Sequence, residues 1–181
     1  MILIINTSGN GIDLALDEHI IHVDADKQAV TLPNAVDKFL GQHNVAWSDL
    51  SSIGVIVGPG SFTGIRLGIA YAKGLSMGLN IPLVPVNAFE LYLAEYPDAF
   101  VAIESGRGDF FVGAKNFTPR TMDIDTLETK QMEWPQTVGH KPFNLSLAKQ
   151  IVESKIQNNV NEAVIPMYLR PSYAEEKCSQ N

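Results

Sequence analysis

Cysteine is almost absent from this 181-residue chain, and basic residues are outnumbered by acidic ones. The single cysteine, Cys178, allows no disulfide within the chain, which is typical of a reducing compartment. The 13 lysines and arginines against 20 acidic residues give a net charge of −7. Proteins bind nucleic-acid backbones with lysine and arginine, so direct binding to RNA or DNA is not expected.

Long hydrophobic runs are also lacking, and no segment is long enough to cross a membrane. The apolar residues 1–6 have no basic stretch beside them and no long apolar continuation, so they predict a β-strand and not a signal peptide. Hydrophobic residues make up 45% of the chain and charged residues 18%, which predicts a folded protein with an ordinary core. We therefore expect a cytoplasmic protein without a membrane role.

Motifs for catalysis and metal binding are missing as well. The sequence has no Gly-Lys-Ser/Thr Walker ending, no His-Glu-x-x-His helix and no cysteine pair. His19 and His22 lie three residues apart on a predicted strand, so they point to opposite faces and cannot share one ion. Ser61 lies outside a nucleophile elbow and is better explained as a helix cap. No catalytic, cofactor-binding or metal-binding residue is predicted.

The order of predicted elements indicates the fold. Apolar and alternating runs at residues 2–6, 12–16 and 20–23 predict three hairpin strands. A helix follows, with Thr31 as its N-cap and Pro33 in its first turn. Further elements then alternate between strand and helix, at residues 53–57, 63–78, 81–86 and 88–95. Hairpin strands followed by α/β crossovers form the half-domain of the ribonuclease-H-like and actin-like ATPase folds.

A second, smaller lobe is predicted beyond Pro97. The seam divides the chain into an N-terminal lobe, residues 1–97, and a C-terminal lobe, residues 98–181. In the second lobe the pattern predicts a hairpin, a helix and an extended segment, at residues 100–114, 145–156 and 163–169. The prediction is an α/β protein of two ribonuclease-H-like, actin-like lobes, of which the second is truncated.

The most informative segment is Gly-Pro-Gly-Ser-Phe-Thr-Gly-Ile-Arg-Leu-Gly at residues 58–68, which joins a predicted buried strand to a helix. A glycine-rich turn at a helix start is typical of phosphate binding. The glycines continue to Gly78, however, and each interior glycine costs a helix roughly 0.5–1 kcal/mol relative to alanine. Close packing along the helix must offset that cost.

Two explanations remain open for the small residues of this helix. Gly64, Gly68, Ala72 and Ser76 recur every four residues and form a ridge without bulk. The ridge receives a helix of a partner, or it packs within the chain's own fold. Arg66 lies in the first turn, where the helix dipole disfavours a cation, and this favours an anionic partner.

Two predicted turns are candidates for ligand binding. Asn6-Thr7-Ser8-Gly9-Asn10-Gly11 follows the first strand, where actin-like ATPases place a magnesium-organising carboxylate, but Asn6 is neutral. A plain β-turn is therefore favoured over a phosphate loop. Arg107 and Asp109 on the second-lobe hairpin are further candidates, although exposed hairpin charges are more often solvated.

Several of these segments resemble the TsaB (YeaZ) family. The glycine-rich segment with the later Lys73-Gly-Leu resembles the family signature, and Asn6-Thr7-Ser8 resembles the end of its first strand. Three other parts resemble its first helix, its second-lobe hairpin and its closing Pro-x-Tyr-Leu-Arg motif, at residues 31–36, 102–111 and 166–171. The match spans both predicted lobes.

The resemblance implies a non-catalytic member of the actin-like superfamily, grouped with the glycoproteases. Such proteins partner the catalytic subunit TsaD, with the ATPase TsaE, in making threonylcarbamoyladenosine at position 37 of tRNA, and they reach tRNA only through that complex. The resemblance also implies dimerisation, with TsaD or between two copies, through the glycine-rich helix and the helix before it. Carried over to this chain, it assigns interface roles to Gly64, Arg66, Gly68, Ala72 and Lys73.

The chain departs from the family pattern around the expected nucleotide site. Asn6 replaces the usual Asp, Gln28-Ala29 replace a pair such as His-Ser, and Glu104-Ser105-Gly106 replace Asp-Ala-Arg. These changes weaken a nucleotide site and leave the glycine helix intact, so they favour a scaffold over an enzyme. The alternatives are a glycoprotease-like peptidase, a small-molecule kinase of the same superfamily, or a nucleotide-binding homodimeric sensor.

Overall fold

The computed structural model describes residues 1–139 and 141–170, so the prediction for Cys178 lies outside the described residues. Within this range the chain forms two β-sheets with helices between and around them. None of the helices in the described part is long and apolar enough to cross a membrane.

The first sheet has five strands in the order β3-β2-β1-β4-β5. Their bounds are Ile2–Asn6 for β1, Ile12–Leu16 for β2, His19–Val23 for β3, Ser52–Ile56 for β4 and Leu83–Val86 for β5. β1 pairs antiparallel with β2 and parallel with β4, while β4 pairs parallel with β5. The predicted mixture of hairpin strands and parallel crossovers is confirmed.

Alternating side chains of β1 divide the first sheet between two cores. Leu3 and Ile5 belong to the core shared with α1 (Gln28–Gln42) and α2 (Phe62–Leu79). Ile2 and Ile4 belong to the opposite core, which α5 (Leu147–Gln157) covers. Because both faces are covered, the strands read as continuous apolar runs in the sequence.

The second sheet has the order β8-β7-β6-β9. Its strands are Phe100–Glu104 for β6, Asp109–Ala114 for β7, Phe117–Asp123 for β8 and Thr137–Val138 for β9. Leu127 of α4 (Ile124–Lys130) packs on one face, and α3 (Ala88–Glu95) packs on the other. Since Leu91 of α3 lies in a core of the first sheet and Phe89 in that of the second, α3 joins the two sheets.

Helix α1 begins earlier than the sequence predicts. It starts at Gln28 with Lys27 at the N-cap, so the prediction of Thr31 as N-cap is wrong. The Thr31 hydroxyl instead donates to the Lys27 carbonyl from within the first turn. Pro33 consequently lies inside the helix, on its exposed side. The extra residues bring the Gln28 side chain to the turn that follows β1.

The last described residues return to the first sheet. Helix α5, predicted in the smaller lobe, packs on the first sheet because Ala148 and Val152 give it an apolar face there. The Met167 amide then donates to the Val57 carbonyl at 2.7 Å. The packing of α5 therefore crosses the sequence boundary expected after residue 97, and the division into 1–97 and 98–181 stays a prediction.

Candidate partner-binding face and interlobe cleft

The start of α2 closes on the turn that follows β1. The Ser61 amide donates to the Ser8 carbonyl at 2.7 Å, and the Ser61 hydroxyl accepts from the Gly64 amide at 3.2 Å. Ser61 is thus the N-cap, as predicted. The Thr7 hydroxyl donates to the Gly64 carbonyl at 2.6 Å. The β1–β2 turn of the chain therefore occupies the space beside the glycine-rich turn in which a phosphate would bind.

The ridge of small residues predicted on α2 faces the chain's own sheet. A Cβ on Gly64 would overlap the Thr7 carbonyl oxygen, and a Cβ on Gly68 would overlap the Thr7 hydroxyl. Ala72 is fully buried, and the Ser76 hydroxyl donates to the Ile81 carbonyl at 2.6 Å. Packing within the fold is therefore the explanation that the structure supports for this ridge. Gly64, Gly68 and Ala72 are buried in the folded chain, and their role in a partner interface stays a prediction.

A second row of small residues on α2 faces outward. Ala70, Gly74 and Gly78 also recur every four residues, and all three are exposed. A Cβ on Gly74 or Gly78 would meet nothing within 4 Å. Lys73 is exposed beside them, and Met77 is 83% exposed. We call Ala70, Lys73, Gly74, Met77 and Gly78 the outer α2 stripe.

Sequence reasoning missed the outer α2 stripe because both rows have the same spacing. Periodicity reveals that small residues line a helix, but the sheet contacts decide which row faces inward. Only the folded structure shows that a Cβ on Gly74 or Gly78 would have no atom within 4 Å.

Arg66 finds its partners within the chain. Its Nε donates to the Tyr168 hydroxyl, and its guanidinium carbon lies 3.9 Å from the centre of the Phe62 ring. The Phe62 and Tyr168 rings stack with their centres 4.7 Å apart. These contacts account for a cation in the first turn of α2 without a partner, and the interface role of Arg66 stays a prediction.

Helix α1 lies beside α2 on the same face of the first sheet. Tyr71 of α2 is half-buried there, and burial raises the pKa of its phenol, with a smaller contribution from the nearby carboxylate of Asp37 on α1. Val30 of α1 is 69% exposed. The exposed sides of the two helices therefore form one surface, with the outer α2 stripe along one half of it.

A cavity of about 830 Å³ lies between the two sheets. The first sheet and the turns beside it contribute Asn6, Ser8, Asp13 and His22 to its wall, and Glu104 of β6 contributes from the second sheet. Apolar side chains complete the wall, among them Ile20, Tyr92, Ile103 and Phe143. We call this space the interlobe cavity.

Hydrogen bonds occupy the polar side chains on the first-sheet wall of the interlobe cavity. The Asn6 side-chain oxygen accepts from the Ser8 hydroxyl at 2.7 Å, and the Asn6 amide nitrogen donates to Asp13 at 2.7 Å. His22 Nδ1 lies 2.6 Å from Asp13 and Nε2 lies 3.3 Å from Asp24. The hydrogen bond with Asp13 raises the pKa of His22, although burial partly opposes it.

The interlobe cavity does not fit a magnesium–nucleotide pair, which the actin-like fold implies. Asn6 is neutral, and Asp13 is already engaged by Asn6 and His22. Within residues 1–139 and 141–170, no three His, Cys, Asp or Glu side chains could hold a metal ion. The carbonyls of the turn also point elsewhere, because the Gln28 amide donates to those of Thr7, Gly9 and Gly11.

The closing motif of the sequence joins the two lobes. Arg170 pairs with Asp109 of β7, and Asp109 also accepts from the Ser105 hydroxyl. Asp109 is therefore ion-paired and hydrogen-bonded within the chain, and it is not the merely solvated charge that the hairpin position favoured. Tyr168 contacts Arg66 at the start of α2. The sequence alone gives this motif no structural role, because its partners Arg66 and Asp109 lie far from it along the chain.

Comparisons with known proteins place these observations in a family context. The family model described as "TsaD: tRNA N6-adenosine threonylcarbamoyltransferase" matches residues 22–127. The "tRNA threonylcarbamoyladenosine biosynthesis protein TsaB" of Bacillus subtilis is 32% identical over 154 residues, which cover 78% of this chain and 67% of that protein. The "tRNA N6-adenosine threonylcarbamoyltransferase" of Clostridioides difficile is 34% identical over 82 residues, which cover 45% of this chain and 22% of that protein.

A solved structure supports the fold. YeaZ from Pseudomonas aeruginosa superposes with a TM-score of 0.71 at 17% identity, covering 93% of this chain and 99% of that one. The predicted two-lobed actin-like fold is thereby confirmed.

Proposed function

Because the chain belongs to the TsaB (YeaZ) family, we propose that it is a non-catalytic subunit in the synthesis of threonylcarbamoyladenosine in tRNA. It acts by binding a TsaD-type catalytic subunit. A TsaE-type ATPase joins the same pathway, and tRNA is reached only through the assembled complex. The acidic balance of the chain supports this indirect route, because few cations are available for a nucleic-acid backbone.

The outer α2 stripe is the observation that carries the proposal. Gly74 and Gly78 have no neighbour that requires a glycine, yet each costs the helix roughly 0.5–1 kcal/mol relative to alanine. A helix from a partner can approach closely along such a row and pack its side chains against Met77. Lys73 lies on the same face and adds a cation to the contact.

The buried ridge of α2 has a supporting role in this proposal. Gly64, Gly68 and Ala72 let α2 lie directly on the β1–β2 turn and the first sheet, which fixes the position of the outer α2 stripe. Arg66 anchors the start of the helix through Tyr168. Of the residues assigned to the interface from the family resemblance, Lys73 is the one we expect to contact the partner most directly.

A non-catalytic role is supported by the side chains of the interlobe cavity. Ser8 donates its hydroxyl hydrogen to Asn6, which is not a base, and both ring nitrogens of His22 face carboxylates. A nucleophile needs a neighbouring base to become reactive. The side chains that would have to perform peptidase or kinase chemistry are thus engaged with one another.

The proposal is tested by co-purification with the TsaD-type protein of the same organism. Gly74→Arg adds a long cation to the outer α2 stripe at an exposed position where a Cβ meets nothing within 4 Å. We expect it to abolish co-elution. Thr129→Arg is the matched control, since it adds the same charge to an exposed position on α4. Gly68 is unsuitable for this test, because a side chain there would disturb the fold first.

An activity measurement completes the test. We expect modified tRNA only when this chain, the TsaD-type protein and the TsaE-type ATPase are all present, and none when Gly74→Arg replaces the wild type. Co-elution of Gly74→Arg at wild-type strength would overturn the proposed surface. Modification by this chain without a TsaD-type protein would overturn its non-catalytic role. A dimer of this chain alone, lost with Gly74→Arg, would indicate that two copies use the same surface.

A further inference from the structure

One asparagine of the β1–β2 turn has no contact that holds its side chain. Asn10 is exposed, and its side chain forms no hydrogen bond with another described residue. Its neighbours in the turn differ, because the Ser8 hydroxyl donates to Asn6 at 2.7 Å and the Gly9 carbonyl accepts from the Gln28 amide at 3.2 Å. The Asn10 side-chain amide is therefore able to rotate toward its own main chain.

A glycine follows Asn10, and the fold requires it. The φ angle of Gly11 is +83°, and a Cβ at this position would lie 2.7 Å from the Val23 carbonyl oxygen. The missing side chain also leaves the Gly11 amide nitrogen uncrowded, so the side chain of the preceding residue can approach it. Asn10-Gly11 is the one asparagine–glycine pair in the sequence.

An asparagine beside an uncrowded amide nitrogen loses its side-chain amide without an enzyme. The Gly11 nitrogen attacks the side-chain carbonyl carbon of Asn10, so a C–N bond forms. The bond from that carbon to the NH₂ group breaks, and ammonia leaves with the hydrogen of the Gly11 amide. The product is a cyclic succinimide. Water then opens the ring at either of its two carbonyls, which yields aspartate or isoaspartate, and in isoaspartate the main chain is longer by one methylene group.

We propose that Asn10 is a site of spontaneous deamidation, and that its isoaspartate product weakens the contact between the β1–β2 turn and helix α1. The Gln28 amide donates to the carbonyls of Gly9 and Gly11, which lie on either side of Asn10. A methylene group inserted between these carbonyls changes their separation, so that Gln28 no longer reaches both. Because Lys27 contributes no side-chain cap to α1, loss of these bonds loosens the start of the helix.

Ageing of the full chain at mildly alkaline pH tests the site, because loss of the amide proton promotes the attack. Trypsin releases residues 1–27, whose two asparagines are Asn6 and Asn10. Mass spectrometry then locates any replacement of an NH₂ group by a hydroxyl group. Endoproteinase Asp-N distinguishes the products, since it cleaves before aspartate and not before isoaspartate. We expect both products at Asn10 and an intact Asn6, which is buried and hydrogen-bonded.

Two controls isolate the asparagine–glycine pair. Asn116 is also exposed in a turn between strands, but it precedes Phe117, so it should stay intact. Asn10→Gln keeps the amide and lengthens the side chain, which disfavours ring closure, so position 10 of this variant should also stay intact. An Asn10 that survives ageing in the wild type, or conversion of Asn116 as fast as that of Asn10, would overturn the proposal.

Urea unfolding measures the consequence for the turn. The isoaspartate form, separated by ion exchange, should unfold at a midpoint lower by about 0.5 M, because the Gln28 hydrogen bonds are lost. Freshly purified Asn10→Asp carries the new charge on an unaltered main chain, so it should unfold at the wild-type midpoint. An equally low midpoint for Asn10→Asp, or a wild-type midpoint for the isoaspartate form, would overturn the role of the inserted methylene group.

Discussion

Replacement of two glycines on the same helix by alanine should change stability in opposite directions. Gly64 and Gly74 both lie in α2, but Gly64 faces the carbonyl of Thr7 while Gly74 faces open space. Alanine improves helix propensity at either position by roughly 0.5–1 kcal/mol. The difference between the two variants therefore isolates the contact between α2 and the β1–β2 turn.

The magnitudes follow from the neighbours of each Cβ. At Gly74 nothing lies within 4 Å, so Gly74→Ala should stabilise the fold by the full propensity gain, roughly 0.5–1 kcal/mol. At Gly64 the obstacle is a backbone oxygen, which cannot rotate away as a side chain could. Overpacking costs roughly 1–3 kcal/mol, and overlap with a backbone atom falls in the upper half of that range, about 2–3 kcal/mol, so Gly64→Ala should destabilise by about 1–2.5 kcal/mol after the propensity gain.

Urea unfolding measures both effects. With a denaturant slope of about 2 kcal/mol per molar, the two midpoints should lie about 1 M apart on opposite sides of the wild-type value. Thr129→Ala, on exposed α4, serves as a control for substitution on a helix surface. If Gly64→Ala raises the midpoint as Gly74→Ala does, the turn does not close on α2 and the explanation of the buried ridge is refuted.

Three further predictions concern single side chains. Because the folded-state pKa of His22 is raised above 6.5 by its bond to Asp13, protonated His22 should stabilise the fold below pH 6.5, and that contribution should fade as the pH rises through the raised pKa. Because the His22 side chain is half-exposed, this contribution to the free energy of unfolding stays under about 1 kcal/mol. Urea unfolding of wild type and His22→Gln at several pH values measures it. A stability difference between the two proteins that grows as the pH rises would contradict the predicted direction. Asp123 caps α4 by accepting from the Thr126 amide at 2.8 Å, so Asp123→Ala should cost about 1 kcal/mol in urea unfolding, whereas Asp125→Ala should cost less. Tyr168→Ala should cost about 1 kcal/mol, because the stacking with Phe62 is lost; an unchanged midpoint would show that the contact does not persist in solution.

The strands and most helices could be predicted because their signals are local. Buried strands such as β1 and β2 are apolar runs bounded by turn residues, and their observed bounds equal the predicted ones. The N-cap at Ser61 was also readable, since the hydroxyl precedes an apolar helix and bonds within the next turn. The start of α1 was missed because Gln28 gains its stabilisation from the β1–β2 turn, which lies far away in sequence.

The candidate site could be predicted only in part, because its contacts are not local. The sequence indicated that α2 carries an unusual number of small residues, but not that Gly68 faces Thr7 while Gly74 faces outward. The contacts of Arg66 cannot be predicted from its position in the helix, since Tyr168 comes about a hundred residues later in the chain. The interlobe cavity needs both sheets in place, so no stretch of sequence indicates its charge.

The affinity of the chain for the TsaD-type protein, compared between wild type and Gly74→Arg, tests the central claim most directly. Titration calorimetry gives the dissociation constant, and urea unfolding of the same samples verifies that the variant is folded. If the outer α2 stripe is the partner surface, Gly74→Arg should weaken the complex at least about 30-fold, as expected for a change at the centre of an interface. The variant should lose no stability. An equal dissociation constant in the folded variant would contradict the claim.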